Sequence, residues 1–240
     1  MSRDVVLAGW RRYQVDPHHG VRPAGHRGPR VVIDGAEVHL GLAGVSEGPD
    51  RLAWRLEGPG VAVEVEAAGD SAAGVVRTAV TVAGRGRLQR VDVERWGPEA
   101  PAPAGLGQPV LGEGWFGGLQ HPGAEGAGLD VDADLSTGPY RLPPLVVGRA
   151  RPGGELAALW DEVDRVRARP PRLLVLANNW YQLGYVGRMD EATVGDEVRG
   201  FEAVAAAHAL PFDFYCLDDP WDGGWEGATG LWGRLDPARF

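Results

Sequence analysis

The sequence predicts a chain of two parts, an antiparallel β-sandwich followed by the first elements of a parallel α/β fold. Up to residue 152, short segments that alternate apolar and polar residues recur between Gly, Pro and Asp, as in half-buried antiparallel strands. From residue 172 onward, two continuous apolar runs flank a segment of helical periodicity, as in a β-α-β unit.

The segments of the first part are short and regularly spaced. Strict alternation along a strand gives one buried face and one wetted face, which favours a sandwich over a parallel sheet. Residues 97–110 are rich in Pro, Gly and Ala and predict a loop. The predicted strands cover residues 30–33, 51–56, 61–66, 75–82, 88–96, 115–119 and 145–147.

A helix is predicted between the two parts. It follows Gly153-Gly154 and is ended by Pro170-Pro171. Its apolar residues predict one packed stripe, with charged residues such as Glu162 on the other faces. The stripe comprises Leu156, Leu159, Trp160, Val163 and Val166. The predicted organisation is therefore a sandwich domain over residues 1–152, a connecting helix over 153–171, and an α/β region over 172–240.

The second part predicts strands at residues 172–177 and 212–217, with a helix between them. Thr193 and Asp196 have the spacing of a cap at the start of this helix. Apolar positions continue at helical spacing up to His208. Because Cys216 lies inside the second apolar run, we expect a buried side chain there and not a reactive thiol.

Both apolar runs end in polar and aromatic residues. The first is followed by Asn178-Asn179-Trp180, and the second by Asp218-Asp219-Pro220-Trp221. In parallel α/β folds, the carboxyl ends of the strands are where ligands bind. Carboxylates accept hydrogen bonds from hydroxyl groups, and an indole stacks on the apolar face of a pyranose ring. These residue types predict a sugar site.

Each of these residues also has a structural interpretation. Consecutive strand residues point to opposite faces, so only one of Asp218 and Asp219 faces a pocket unless the strand has already turned. The pair would otherwise cap a loop or bind an arginine. Trp180 would alternatively fill the end of the sheet, and Trp221 would pack within a loop.

Three segments together resemble glycoside hydrolase family 36, the α-galactosidases and their clan. The segment Leu217-Asp218-Asp219-Pro220-Trp221 resembles the family's Asp-Asp-Gly-Trp motif, and Asn178-Asn179-Trp180 resembles the Asn-Ser-Trp that ends its first barrel strand. Residues 117–125 are similar to a Gly-x-Glu-His-Pro-Ala segment late in its amino-terminal β domain. The order of sandwich, helix and barrel also matches.

The resemblance implies an antiparallel β-sandwich followed by the first strands of a (β/α)8 TIM-type barrel. It also implies a retaining glycosidase that acts on terminal α-galactosides, with the catalytic carboxylates on later barrel strands. Such a barrel takes about 250 residues, and residues 172–240 supply two of its eight strands. We therefore expect a truncated barrel with no catalytic residue in this chain, and with substrate-binding residues Trp180, Asp218, Asp219 and Trp221.

Alternative functions remain open at this point. The chain would alternatively be a carbohydrate-binding or decayed protein without catalysis. The clan also includes α-glucosidases, N-acetylgalactosaminidases and galactosyl transferases, so the sequence does not fix the sugar. An unfinished barrel exposes apolar edges, which favours association into a homo-oligomer.

Composition and charge exclude several classes of partner. The net charge is −9, and residues 171–240 carry most of the acidic excess. This balance repels nucleic acid and anionic membranes. The chain contains no Lys, so we attribute its all-Arg basic set to codon bias and not to phosphate recognition. No apolar run is long enough to cross a membrane and the amino terminus is a poor signal peptide, which predicts a cytoplasmic protein.

No motif indicates a nucleotide, flavin, haem or other cofactor. Gly223-Gly224 lacks the Lys and Ser/Thr of a phosphate loop. His18, His19 and His26 lie in a Gly-, Pro- and Arg-rich stretch without the spacing of metal ligands, so we expect a solvated loop there and no metal site.

Overall fold

The computed structural model describes residues 3–16, 20–97, 100–102, 105–179, 190–210 and 213–217. The chain divides into two compact units, Met1–Ala168 and Arg169–Phe240. The first holds sixteen of the described strands, one α-helix and one short 3-10 helix (Leu135–Thr137). The second holds two strands and one helix.

The first unit is built almost wholly from β-strands, in agreement with the alternating pattern of its sequence. The strands are β1 (Arg3–Leu7), β2 (Arg11–Asp16), β3 (Gly20–Pro23), β4 (Arg30–Ile33), β5 (Ala36–Glu37), β6 (Gly41–Gly48), β7 (Arg51–Gly58), β8 (Val61–Asp70), β9 (Val75–Gly84), β10 (Arg87–Asp92), β11 (Val110–Gly112), β12 (Trp115–Leu119), β13 (Ala124–Glu125), β14 (Gly128–Asp134), β15 (Tyr140–Arg141) and β16 (Leu145–Arg149).

These strands form three antiparallel sheets. The largest has the order β11-β12-β16-β9-β8-β7-β6, with β15 also paired to β9. The second has the order β13-β14-β10-β4-β5, and the third is the small sheet β1-β2-β3. Every described strand pair of this unit is antiparallel. The predicted antiparallel β fold is therefore confirmed.

The inward residues of the three sheets form one hydrophobic core. Strand β8 shows the pattern, because Val63 and Val65 are buried while Glu64 between them faces solvent. Across the ladder, Val63 pairs with Val82 and Val65 with Val80, so inward residues meet inward residues. Burial of alternate apolar side chains in this way is the main stabilising contribution to a sandwich.

The predicted strands match the observed ones closely where alternation is strict. Strands β4 and β12 have the predicted limits, and β7, β8, β9 and β16 are each longer by a few residues. The sheet β1-β2-β3 was not predicted. Its central strand β2 places Arg11 at an inward position between buried residues, and a charged residue there hides the apolar alternation.

Helix α1 (Glu155–Val166) lies in the first unit, and only part of the predicted apolar stripe is packed. The helix packs through Ala158 and Leu159 against a small cluster on the large sheet. Glu162 is buried, whereas Leu156 and Trp160 are each 55% exposed. The physical reason is an ion pair between Glu162 and Arg77 of β9, which turns the acidic face of the helix toward the sheet.

Glycine at position 148 permits the close packing beneath this helix. Gly148 of β16 lies directly opposite Phe116 of β12, and the Phe116 ring covers it. A Cβ atom at position 148 would lie 2.1 Å from that ring. Only glycine therefore fits beneath Phe116 at this register.

The second unit contains the predicted β-α-β arrangement. Strand β17 (Leu176–Asn178) and strand β18 (Phe214–Cys216) are parallel neighbours, and helix α2 (Glu191–His208) lies between them in sequence. The cap of α2 begins three residues earlier than predicted. Asp190 is the N-cap and forms a reciprocal capping box with Thr193.

The described strands β17 and β18 are shorter than predicted and less buried. Leu173 is 87% exposed, and Phe214 and Leu217 are also exposed. The (β/α)8 barrel and the limits 1–152, 153–171 and 172–240 remain predictions.

Candidate functional site

The carboxyl ends of β17 and β18 lie at the same edge of their two-stranded sheet. The parallel register pairs Leu176 with Phe214, Ala177 with Tyr215, and Asn178 with Cys216. The last pair is half-buried, and Asn179, the residue directly after the first strand, is fully buried. This edge therefore carries the amide side chains of Asn178 and Asn179 and the thiol of Cys216. In the sequence, Trp180 follows the first strand and Asp218-Asp219-Pro220-Trp221 follow the second.

The register is fixed at the opposite end of the strands by Asp213. Its carboxylate accepts hydrogen bonds from the backbone N–H of Val175 at 3.0 Å and from Arg172 at 2.5 Å. The Asp213 N–H in turn donates to the Val175 carbonyl oxygen at 2.7 Å. The Val175 hydrogen bond, aided by Arg172, lowers the pKa of Asp213. Asp213 thus has the structural role of a strand-edge residue, as its place in the sequence indicates.

Helix α2 contacts the second strand through Tyr215. The Tyr215 hydroxyl donates a hydrogen bond to the Glu197 carboxylate, and the rings of Tyr215 and Phe201 lie 6.0 Å apart. Burial raises the pKa of Tyr215, and Glu197 raises it further. These contacts hold the middle of β18 against the helix, so the strand end is positioned from one side.

The predicted sugar-binding residues Trp180, Asp218, Asp219 and Trp221 lie outside the described residues. Their placement in the sequence is nevertheless related to the register. Trp180 is the second residue after Asn178, and Asp218 is the second residue after its partner Cys216.

The expectation that Cys216 is buried is not met, because its side chain is half-buried. It lies at the strand end, where the sheet no longer covers it.

A buried charged cluster in the sandwich was not predicted. Arg11 of β2 donates to the Glu94 carboxylate at 2.5 Å, and the Trp96 indole N–H donates to the same oxygen at 3.1 Å. Both charged side chains are more than nine-tenths buried. Arg11 and Glu94 are 83 residues apart, so no local pattern could have indicated this pair.

The solvated loop expected around His26 is also corrected. His26 is half-buried, and its Nδ1 atom is shielded from solvent. Burial and the nearby charge of Arg11 lower the pKa of His26. His18 and His19 lie outside the described residues. No group of three His, Cys, Asp or Glu side chains in the described ranges is arranged to hold a metal ion.

No helix in the described part of the chain is long and apolar enough to cross a membrane. No protein-family model and no curated protein sequence matches the chain.

Solved structures of GH36 α-galactosidases from Geobacillus stearothermophilus do resemble it. AgaB is 12% identical over 81% of this chain and 39% of its own, with a TM-score of 0.48. A variant of AgaA in complex with raffinose is 13% identical over 83% of this chain and 40% of its own, with a TM-score of 0.48. A second AgaA variant, in complex with stachyose, is 12% identical over 89% of this chain and 42% of its own, with a TM-score of 0.50.

The AgaA–stachyose complex supports a distant relationship of fold. The chain spans about two fifths of the length of the solved structures that it matches. The likeness therefore concerns the architecture of the amino-terminal part of those enzymes, and the site has to be argued from its own residues.

Proposed function

We propose that this chain is the amino-terminal part of a retaining glycoside hydrolase of the α-galactosidase type, and that it supplies part of the sugar-binding subsite. Trp180, Asp218, Asp219 and Trp221 are the proposed contacts to the sugar. The observation that carries this proposal is the parallel register of β17 and β18, which pairs Asn178 with Cys216. The segments Asn178-Asn179-Trp180 and Asp218-Asp219-Pro220-Trp221 therefore follow strands that end at the same edge of one sheet.

The chemistry of the two motifs suits a neutral polyhydroxylated ligand. The carboxylates of Asp218 and Asp219 would accept hydrogen bonds from sugar hydroxyl groups, and charged acceptors make such bonds short and strong. The Trp180 indole would stack on the apolar face of the ring. Asn178 and Asn179 add amide donors and acceptors to the same strand end.

The surroundings of β17 support a larger parallel sheet around this site. Leu173, Leu174 and Val175 precede the strand and are exposed in the described structure. A continuous apolar run is typical of a strand that is covered on both faces. We infer that further strands and helices of a barrel would cover these side chains.

The subsite is tested by sugar binding to the chain of residues 1–240. We expect galactose and raffinose to bind, and we expect Trp180→Ala, Asp218→Asn and Asp219→Asn each to weaken the affinity at least tenfold. Tenfold corresponds to about 1.4 kcal/mol, which is typical for loss of one stacking or charge-assisted contact. Isothermal titration calorimetry gives the dissociation constants.

Trp160→Ala is the matched control for that experiment. Trp160 is an exposed tryptophan on α1 outside the proposed subsite, so its loss is expected to leave sugar affinity unchanged. Equal affinity in wild type and all three site variants would contradict the subsite.

The same proposal predicts that residues 1–240 by themselves do not hydrolyse glycosides. A retaining mechanism needs two carboxyl groups about 5–5.5 Å apart that flank the scissile bond. Asp218 and Asp219 are adjacent in sequence and would lie on one side of a bound sugar. The family resemblance puts the catalytic carboxylates on later barrel strands.

The assay is release of nitrophenol from nitrophenyl α-galactoside and nitrophenyl α-glucoside. We expect the purified chain to give no release above the rate in buffer. Clear turnover that Asp218→Asn abolishes would show that the chain is catalytically complete and that Asp218 takes part in the chemistry.

A further inference from the structure

A cavity of about 600 Å³ in the first unit is lined by an unusual set of charges. It lies between β3, the segment that leads into β4, and the segment from β5 to β6. Arg22, Arg27 and Arg95 all line it, together with His39, and Glu37 is the only carboxylate among its lining residues. The volume is in the range of small-molecule sites.

Two of these arginines differ from most others in the described structure, which pair with carboxylates. Among the described residues, Arg22 and Arg27 form no ion pair or side-chain hydrogen bond. Arg95 reaches Glu37 only at 4.0 Å, while Glu37 binds Arg30 at 2.8 Å. The Nε atom of Arg95 is shielded from solvent and has no hydrogen-bond partner in the described ranges. The guanidinium groups around the cavity therefore have spare donors.

The backbone holds two of these positive charges close together. Arg27 and Arg95 form an isolated antiparallel bridge, in which each N–H donates to the other's carbonyl oxygen, at 3.0 Å and 3.1 Å. Directly opposed residues of an antiparallel pair project to the same side with Cβ atoms about 5.5 Å apart, and like charges at such a pair are destabilising. A bound anion would remove that repulsion.

We propose that this cavity binds a small ligand through a phosphate group. A phosphate dianion matches the forked donors of arginine better than a neutral hydroxyl does, because each guanidinium can bind two of its oxygens. The three arginines around the cavity neutralise the charge of the phosphate dianion, and some of their N–H donors remain for further hydrogen bonds. The net charge of −9 disfavours long polyanions, so the ligand is a small phosphorylated molecule or phosphate itself. The exposed Glu37 and His39 supply groups for hydroxyls next to the phosphate.

Calorimetric titration of the full 240-residue chain with inorganic phosphate, glucose 6-phosphate and glucose tests this proposal, at constant ionic strength set with chloride. We expect the two phosphates to bind and glucose not to bind at this cavity. Arg22→Gln and Arg27→Gln are each expected to weaken phosphate binding at least tenfold. Arg151→Gln is the matched control, because Arg151 is exposed, lies outside the cavity and forms no ion pair in the described structure.

The melting temperature of the ligand-free variants separates binding from folding. Arg27 and Arg95 are paired directly and their positive charges repel each other. Arg27→Gln is therefore expected to melt at the wild-type temperature or above it. If Arg27→Gln does not fold, Arg27→Lys keeps the charge but loses the fork, and it is expected to weaken phosphate binding by a similar factor.

The relative affinities of the ligands and variants identify the ligand or overturn the proposal. Tenfold tighter binding of glucose 6-phosphate than of phosphate would assign a sugar phosphate as the ligand, and equal affinities would assign phosphate itself. The proposal is overturned if phosphate gives no binding heat beyond chloride, or if folded Arg27 variants bind as wild type does. It is also overturned if Arg151→Gln loses affinity to the same extent, since that would indicate a general charge effect.

Discussion

Glu94→Ala is expected to lower the free energy of unfolding of the sandwich by about 3–5 kcal/mol. The substitution leaves the Arg11 guanidinium buried without its carboxylate, and it removes the acceptor of the Trp96 indole N–H. Loss of one partner from a buried ion pair has a cost of this size because an unpaired charge stays in a medium of low dielectric constant. For a domain with about 5–15 kcal/mol of stability, the effect is severe. Urea unfolding followed by circular dichroism measures it.

Two further variants show whether burial of the ion pair causes the loss of stability expected for Glu94→Ala. Glu64→Ala removes an exposed carboxylate that pairs with Arg55 on the solvent face of β8, and it is expected to cost less than about 1 kcal/mol. The double variant Arg11→Met with Glu94→Leu is expected to recover most of the lost stability, because it leaves no charge unpaired. If Glu94→Ala and Glu64→Ala have equal effects, the buried pair contributes no more than a surface pair.

Tyr13 is expected to make the fold sensitive to alkaline pH. Burial and, to a smaller extent, the charge of Glu94 raise the pKa of Tyr13 from its ordinary value of 10 to about 12, and Arg11 opposes the shift. The folded state therefore binds the phenolic proton more tightly than the unfolded state does. Stability from this group is complete below pH 10 and is lost as the pH rises toward about 12. The expected loss from this group is about 1.4 kcal/mol at pH 11.

Urea unfolding at pH 9, 10 and 11 measures this loss. Tyr13→Phe keeps the buried ring but has no phenolic proton, so the part of the pH dependence due to Tyr13 should disappear in this variant. Tyr140→Phe, at a half-buried tyrosine of β15, is the control and is expected to keep the wild-type pH dependence. Equal pH profiles for wild type and Tyr13→Phe would show that the Tyr13 hydroxyl is not held protonated by burial.

The contacts of Tyr13 explain why its removal is informative. The groups beside its hydroxyl are Thr78 and Arg11, but neither forms a hydrogen bond of ordinary geometry with it among the described residues. Its ring lies 6.1 Å from that of Trp54 in the core. Tyr13→Phe therefore removes a poorly satisfied polar group and keeps the packing, and the stability at pH 7 is expected to change little.

The sequence alone predicted those parts of the fold that depend on neighbouring residues. Alternation of apolar and polar residues predicts β4, β7, β8 and β9 because inward and outward positions in a half-buried strand differ by one residue. The apolar runs with a helical segment between them predict the order of β17, α2 and β18. Family motifs in the sequence predict the sugar site, whose four named residues lie outside the described structure.

Only the tertiary structure determined which residues, far apart in the sequence, pair their charges in the folded chain. Arg11 interrupts the apolar alternation of β2 and is acceptable there because Glu94, 83 residues away, lies beside it. Glu162 faces inward from α1 because Arg77 of β9 binds it, while apolar residues of the same helix remain exposed. The composition gave no reason to expect phosphate recognition, yet folding brings three arginines to one cavity. The physical reason is that burial of a charge depends on the position of its partner in space, which local periodicity does not encode.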